Sequence, residues 1–193
     1  MGTRNHPIVS NQPYFVTAAT MERRPSFRSS RACQLMLDTL YQLRTELRFA
    51  LLAFVIMPDH MHLLVVPSES ADISRVMQAI KGRFARHWNA PNGTSSTVWQ
   101  GRYFESVART QEQLAKWIEY IHYNPVEAGL ARTPTEYLYS SAAANMQTDL
   151  EVHLGGTPGQ AKARPSGDKR VASAAGRQAE AWPSDDKRRA PAS

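Results

Sequence analysis

Residues Ala53 to Pro67 read AFVIMPDHMHLLVVP, and they set two histidines one residue apart in the most apolar part of a 193-residue chain. Successive side chains of a strand turn to opposite faces, so His60 and His62 share one face while Met61 takes the other. Two imidazoles on one face can hold one metal ion. Upstream, Phe49 to Met57 is a second apolar run, β-branched and aromatic. Pro58-Asp59 between the runs is turn chemistry, proline fixing φ and aspartate bonding local backbone. The stretch therefore predicts a β-hairpin of two core strands with the histidines just past its turn.

Working outward, Pro13 to Thr20 predicts a short strand with Tyr14, Val16 and Ala18 on one face and Phe15 and Thr17 on the other. Met21 to Phe27 reads as a loop. A helix capped by Ser29 or Ser30 carries Ala32, Leu35, Leu37, Leu40, Tyr41 and Leu43 at helical spacing through Leu47. Past the hairpin, a helix from Asp72 or Ile73 to about Trp88 presents Ile73, Val76, Met77, Ile80 and Phe84 on its apolar face. Val98 to Thr110 suits a fourth strand. Thr110 and Gln113 then form a capping box for a last helix, expected to end near Asn124 because Pro125 biases that residue away from the helical region. On this helix Tyr120 and Asn124 lie along one edge of the apolar stripe and Tyr123 falls on the far side. The segment to Ala144 is expected to fold back over the domain.

The order strand, helix, strand, strand, helix, strand predicts an α+β fold, a ferredoxin-like antiparallel sheet with helices on one face. The expected domain covers residues 12–145, with a flexible arm at 1–11 and a disordered basic low-complexity tail at 157–193. The net charge is +6. Residues 160–193 hold eight Lys and Arg against four Asp and Glu, so only +2 falls on residues 1–159. An argument for nucleic acid must therefore come from where charges sit. The single cysteine, Cys33, excludes an internal disulfide and any multi-cysteine zinc cluster. The longest uncharged apolar run is about half of the ~20 residues a bilayer span needs, and the N-terminus lacks a signal-peptide core. A cytoplasmic protein with no membrane association is expected.

A helix that follows the last strand could bring its edge to the histidines. His60, His62 and the amide oxygen of Asn124 could then hold a divalent ion with coordination positions left open, as catalysis needs. Tyr120, one turn before Asn124, could present its hydroxyl to a phosphodiester, a tyrosine oxygen being a competent nucleophile. Against this, an isolated His-x-His is a weak motif, and a lone tyrosine is more often a core or rim residue.

Three motifs in order, PDHMHLLVVP, WQGRYF and YIHYNPVEAGL, followed by EYLYSSA, resemble the HUH (His-hydrophobic-His) single-tyrosine transposases of the IS200-like type. The resemblance is closest to the REP-associated tyrosine transposases and runs from about Tyr14 to Ala142. It implies the HUH endonuclease fold and a metal-dependent nuclease that cuts single-stranded DNA beside hairpins of repetitive palindromic elements, leaving a 5′-phosphotyrosine and a free 3′-OH. By position, Tyr120 matches the family nucleophile, His60 and His62 the HUH ligands, and Asn124 the third ligand. The metal implied is Mg2+ or Mn2+, whereas ligand softness alone would favour zinc for imidazoles. One departure is Glu127, where relatives often carry a basic residue.

For DNA contact the candidates are Arg75, Lys81, Arg83 and Arg86 on the second helix, with Trp88, Trp99 and Tyr103 as stacking surfaces. The plain alternative for the cations is a solvated helix face, and tryptophans are more often core. The competing functional reading is a DNA-hairpin-binding protein that keeps the fold without cleaving. A monomer or homodimer is compatible with the sequence.

Overall fold

Why the chain forms a four-stranded sheet is visible in its pairing. In the computed structural model, which describes residues 12–155, β1 (Tyr14–Ala19), β2 (Ala50–Ile56), β3 (His60–Val66) and β4 (Phe104–Val107) lie in the order β2-β3-β1-β4. All three pairings are antiparallel. This is the strand order of a ferredoxin-like βαββαβ unit. The arm at 1–11 and the tail at 157–193 lie outside the described residues.

α1 (Ser30–Leu47) and α2 (Ile73–Asn89) are the two crossover helices and pack against each other on one face. Ser29 caps α1, its Oγ accepting from the Ala32 N–H at 3.2 Å, and Asp72 caps α2 through the Arg75 N–H at 2.7 Å. Met36, Leu40, Leu43, Val76, Met77, Ile80 and Phe84 bury against Val16, Leu63 and Val65 from the sheet. Cys33 belongs to this core, as free cysteines commonly do. Its thiol donates to the Phe27 carbonyl, and burial pushes its pKa up to about 11.

α3 (Gln111–Glu127) packs on the opposite face, over Phe15, Val55, Leu64 and Val66. The one-face layer read from the sequence thus holds for the crossover helices, and the helix added after them supplies a second layer. Two expectations about boundaries need correction. The fourth strand is short, because Val98 to Tyr103 runs irregularly and joins the sheet only through a Thr20–Trp99 bridge. α3 also continues through Pro125 to Glu127. Proline in the last turn forfeits one helical bond, and the end is rebuilt around Gly129 at φ +69°. There the Leu130 N–H reaches the Pro125 carbonyl at 2.8 Å and the Gly129 N–H reaches Val126 at 3.0 Å. Asn124 stays helical as a result.

The chain after α3 does fold back, and it covers the outer edge of β2. The Ile56 N–H donates to the Tyr139 carbonyl at 2.9 Å, Ser141 donates to Phe54 at 2.9 Å, and the Asp149 N–H donates to Leu51 at 2.8 Å. An exposed edge would invite pairing with other chains, and these bonds remove it. β2 also carries a bulge: Leu51 opposes Val65 and Ala53 opposes Leu64, so Leu52 is the extra residue. Leu52 and Ala53 consequently both face α3.

Candidate active site

The register of the sheet builds the site. Thr17 of β1 opposes His62 and Ala19 opposes His60, and paired residues on adjacent strands share a face. Since Phe15 and Leu64 are under α3, the face of His60 and His62 is the α3 face. The two Nε2 atoms stand 3.1 Å apart. On the outer side of each ring, His60 Nδ1 is 2.6 Å from Asp59 Oδ1 and His62 Nδ1 is 2.8 Å from Thr17 Oγ1.

A neutral imidazole carries one N–H. With each proton on Nδ1, Asp59 and Thr17 accept them, and both Nε2 lone pairs are left facing the same point. A histidine ligand whose other nitrogen donates to a carboxylate or oxygen has its ring orientation and tautomer fixed. Burial keeps the pair neutral: it lowers the His60 pKa, and with help from His60 it pulls His62 down to about 3. Only the neutral form can ligate a metal. The residues fit a divalent ion on these grounds. Among the described residues no three His, Cys, Asp or Glu gather at one point, so a third protein donor would be a group of another kind.

The Asn124 amide lies beside the pair. Its Nδ2 lies 3.5 Å from His62 Nε2, and a half-turn about the last side-chain torsion exchanges Nδ2 for Oδ1 at the same place. One turn earlier on α3, the Tyr120 ring sits 5.2 Å from the His62 ring and 5.8 Å from that of Phe15. Phe15 in turn stacks on His62 at 5.4 Å, so the three rings fix one another. Burial raises the Tyr120 pKa and the Glu127 carboxylate adds to this, while a hydrogen bond with Asn124 and the charge of Arg23 work the other way. Tyr123 is 48% exposed on the far side of the helix.

The structure therefore brings His60, His62, Tyr120 and Asn124 together. The residues expected to contact DNA are elsewhere. Arg75 and Arg86 project to solvent from α2. Lys81 and Arg86 line a groove of about 920 Å³ between α2 and residues 94–103, together with Gln78, Trp99 and Tyr103. Lys81 donates to the Gln100 carbonyl at 2.8 Å and lies 5.8 Å over the Tyr103 ring. Arg83 is held by both oxygens of Glu46, at 2.7 and 2.6 Å. One stacking surface needs correction. Trp99 is 5% exposed, packed against Phe27 and Phe84 with its Nε1 donating to the Lys81 carbonyl, so its faces are spent in the core. Trp88 lies parallel to Phe84 and is likewise partly used.

Three residues at the site escaped the sequence reading. Thr17 was legible as sharing a face with Phe15, but its partner depends on strand register. Asp59 reads as a turn residue and is also the His60 acceptor. Arg23, in a segment read as loop, forms an ion pair with Asp59 at 3.5 Å.

The class is given by the family: the chain belongs to the IS200-like transposases, whose model it matches over residues 8–124. Within that family it is similar to REP-associated tyrosine transposases. It is 27% identical over 163 residues to a Haemophilus influenzae protein grouped with them, covering 75% of this chain and 88% of the relative. It is 24% identical over 129 residues to the Escherichia coli REP-associated tyrosine transposase, covering 66% of this chain and 74% of that one. Its fold matches the solved structure of a REP-associated tyrosine transposase bound to a REP hairpin, with a TM-score of 0.63 at 21% identity. That match covers 89% of this chain and all of the other. No helix among the described residues is long and apolar enough to cross a membrane.

Proposed function

We propose that this transposase cuts and rejoins single-stranded DNA beside hairpins of repetitive palindromic elements, using Tyr120 as nucleophile and a divalent ion held by His60, His62 and Asn124. The observation that carries the reading is the meeting of Tyr120 with the His60–His62 pair: the two Nε2 atoms stand 3.1 Å apart, and the tyrosine ring packs on His62 beside them. The hairpin as target rests on the family and on the relative solved with one.

Mg2+ or Mn2+, when bound, would polarise the phosphate and offset the charge that builds in an in-line displacement. The chain does the rest. Asp59 and Thr17 hold the imidazoles in the ligating tautomer, and Asn124 turns its oxygen inward. The Tyr120 oxygen bonds to phosphorus as the bond to the 3′-oxygen breaks. The phenol gives up its proton and the leaving 3′-oxygen takes one up, so a 5′-phosphotyrosine and a 3′-OH remain. The ester keeps the bond energy, and a second 3′-OH attacking it restores Tyr120 and seals the strand. Cations of α2 and the groove beside Lys81 and Arg86 offer phosphate contacts along the duplex. Work on DNA of this kind would be done in the cytoplasm.

Incubation of the purified chain with labelled hairpins from the flanks of its own gene, with Mn2+ or with chelator, tests the reading on a denaturing gel. Metal-dependent cleavage is the expected result. Tight hairpin binding with no cleavage of any of them would instead make the chain a binding protein that has kept the fold.

A further inference from the structure

The backbone beside the histidines holds a conformation that needs explaining. Glu22 and Arg23 have φ of +52° and +54°, in the left-handed region that L side chains rarely adopt, and they are consecutive. Arg48, the other non-glycine residue at positive φ among the described residues, ends α1, where such a residue is ordinary. Glu22 and Arg23 instead form a tight turn closed by the Arg24 N–H on the Met21 carbonyl at 3.0 Å. Backbone strain of this kind persists only where the surroundings impose it, and it collects at working sites.

The surroundings do impose it. The Thr20 N–H donates to the Asp59 carbonyl at 2.9 Å, the Thr20 Oγ1 lies 2.6 Å from the Arg24 carbonyl and 2.8 Å from that of Asp59, and the Phe27 N–H donates to Pro58 at 2.9 Å. The Met21 N–H reaches Val98 at 2.8 Å. The tight turn at 21–23 is thus fastened at both ends to the very turn that presents His60. Its effect is to split neighbouring arginines. Arg24 points outward to Glu22 at 2.7 Å, whereas Arg23 points inward to Asp59. At 3.5 Å the Arg23–Asp59 pair is looser than a hydrogen bond, and the Arg23 side chain is 45% exposed, so a guanidinium with five N–H groups keeps most of them for a ligand. Asp59 in turn holds His60 at 2.6 Å, so the Arg23 guanidinium stands one residue away from the histidine pair.

We infer that Arg23 is a further catalytic residue: its guanidinium binds the non-bridging oxygens of the phosphate that Tyr120 attacks. The inference rests on the reading of the site given above. A planar guanidinium matches two phosphate oxygens at once, and a donor fixed in advance loses little in reorganising as charge builds. Substrate binding moves the guanidinium from Asp59 to the phosphate, leaving Asp59 to hold His60.

The competing role is purely structural, with Arg23 steadying Asp59 and so His60. A hairpin whose junction phosphate is replaced by a neutral methylphosphonate separates the two. In chelator, Tyr120→Phe protein should bind that hairpin about 10-fold more weakly than the native one, and Tyr120→Phe/Arg23→Ala should show almost no difference between the two DNAs. The slope of log affinity against log salt should fall by about one charge in the Arg23 variant. With Mn2+, Arg23→Ala should slow single-turnover adduct formation by about 100-fold, Arg23→Lys should recover part of it, and the melting temperature should hold. A methylphosphonate penalty that survives Arg23→Ala, or a rate loss matched in full by Asp59→Asn, would overturn the inference. Because the affinity arm needs neither metal nor cleavage, it decides on Arg23 even if the cleavage reading fails. A chain that binds none of the hairpins would end both.

Discussion

Met61 and His62 are neighbours in the chain, both under 5% exposed, and they lie on opposite faces of β3. Met61 enters the face covered by α1 and α2, among Met36, Leu40 and Phe84. His62 enters the face covered by α3, and there every ring position has a partner: Thr17, His60, Asn124, Tyr120 and Phe15. Burial is equal on the two sides. What differs is that on one side neighbours only fill space, while on the other they fix a tautomer and point lone pairs at one spot. Further along β3, Leu64 and Val66 return the α3 face to ordinary packing, so the chemistry is confined to the end of the sheet next to Asp59.

The comparison breaks most readily through paired substitutions. His60→Ala should abolish Mn2+ binding measured by calorimetry and all adduct formation, at a cost under about 1 kcal/mol in chemical denaturation. Met61→Ala should do the reverse, costing about 2–5 kcal/mol of stability while leaving adduct formation per folded molecule unchanged. If both lost the same property, the division between faces would be wrong.

Thr17→Val sharpens it. The β-branched shape stays and the acceptor for His62 Nδ1 goes, so Mn2+ affinity should fall about 10- to 100-fold with little change in melting temperature. Acid offers a third probe in the metal-free protein. Burial holds His60, His62 and His122 below the ordinary histidine pKa, so the unfolded chain takes up protons before the folded one does. Stability should be full above about pH 6.5 and should decline as pH falls towards the His62 value of about 3. A flat stability profile over that window would contradict the neutral, buried pair. The smallest effect belongs to the turn beside the site. Glu22→Gly relieves a left-handed residue at an entropic cost, for a net gain of about 0.5 kcal/mol read in denaturant melts.

Much of this arrangement was legible in the residues. Alternation in β1 and β3 gave the faces of Phe15, Thr17, His60 and His62, and helical spacing placed Tyr120 and Asn124 on one edge with Tyr123 away. These are short-range periodicities that a sequence states directly. The rest depends on pairing between distant segments. LLAFVI is apolar throughout, so nothing in it marks Leu52 as the extra residue of a bulge. Pro125 reads as a helix end, yet the Gly129 turn repairs the carbonyls behind it and lets the helix pass through. Trp99 looks like a stacking surface until Phe27 and Phe84 close on it. Asp59 and Arg23 carry their roles only because the 21–27 loop is fastened to the 58–59 turn.

The most direct test of the account is to digest the covalent protein–DNA adduct and sequence the nucleotide-bearing peptide by mass spectrometry. A deoxynucleotide 5′-phosphate ester is expected on Tyr120, formed in Tyr123→Phe protein and absent from Tyr120→Phe. An ester on Tyr123, or an adduct that persists in Tyr120→Phe, would contradict it.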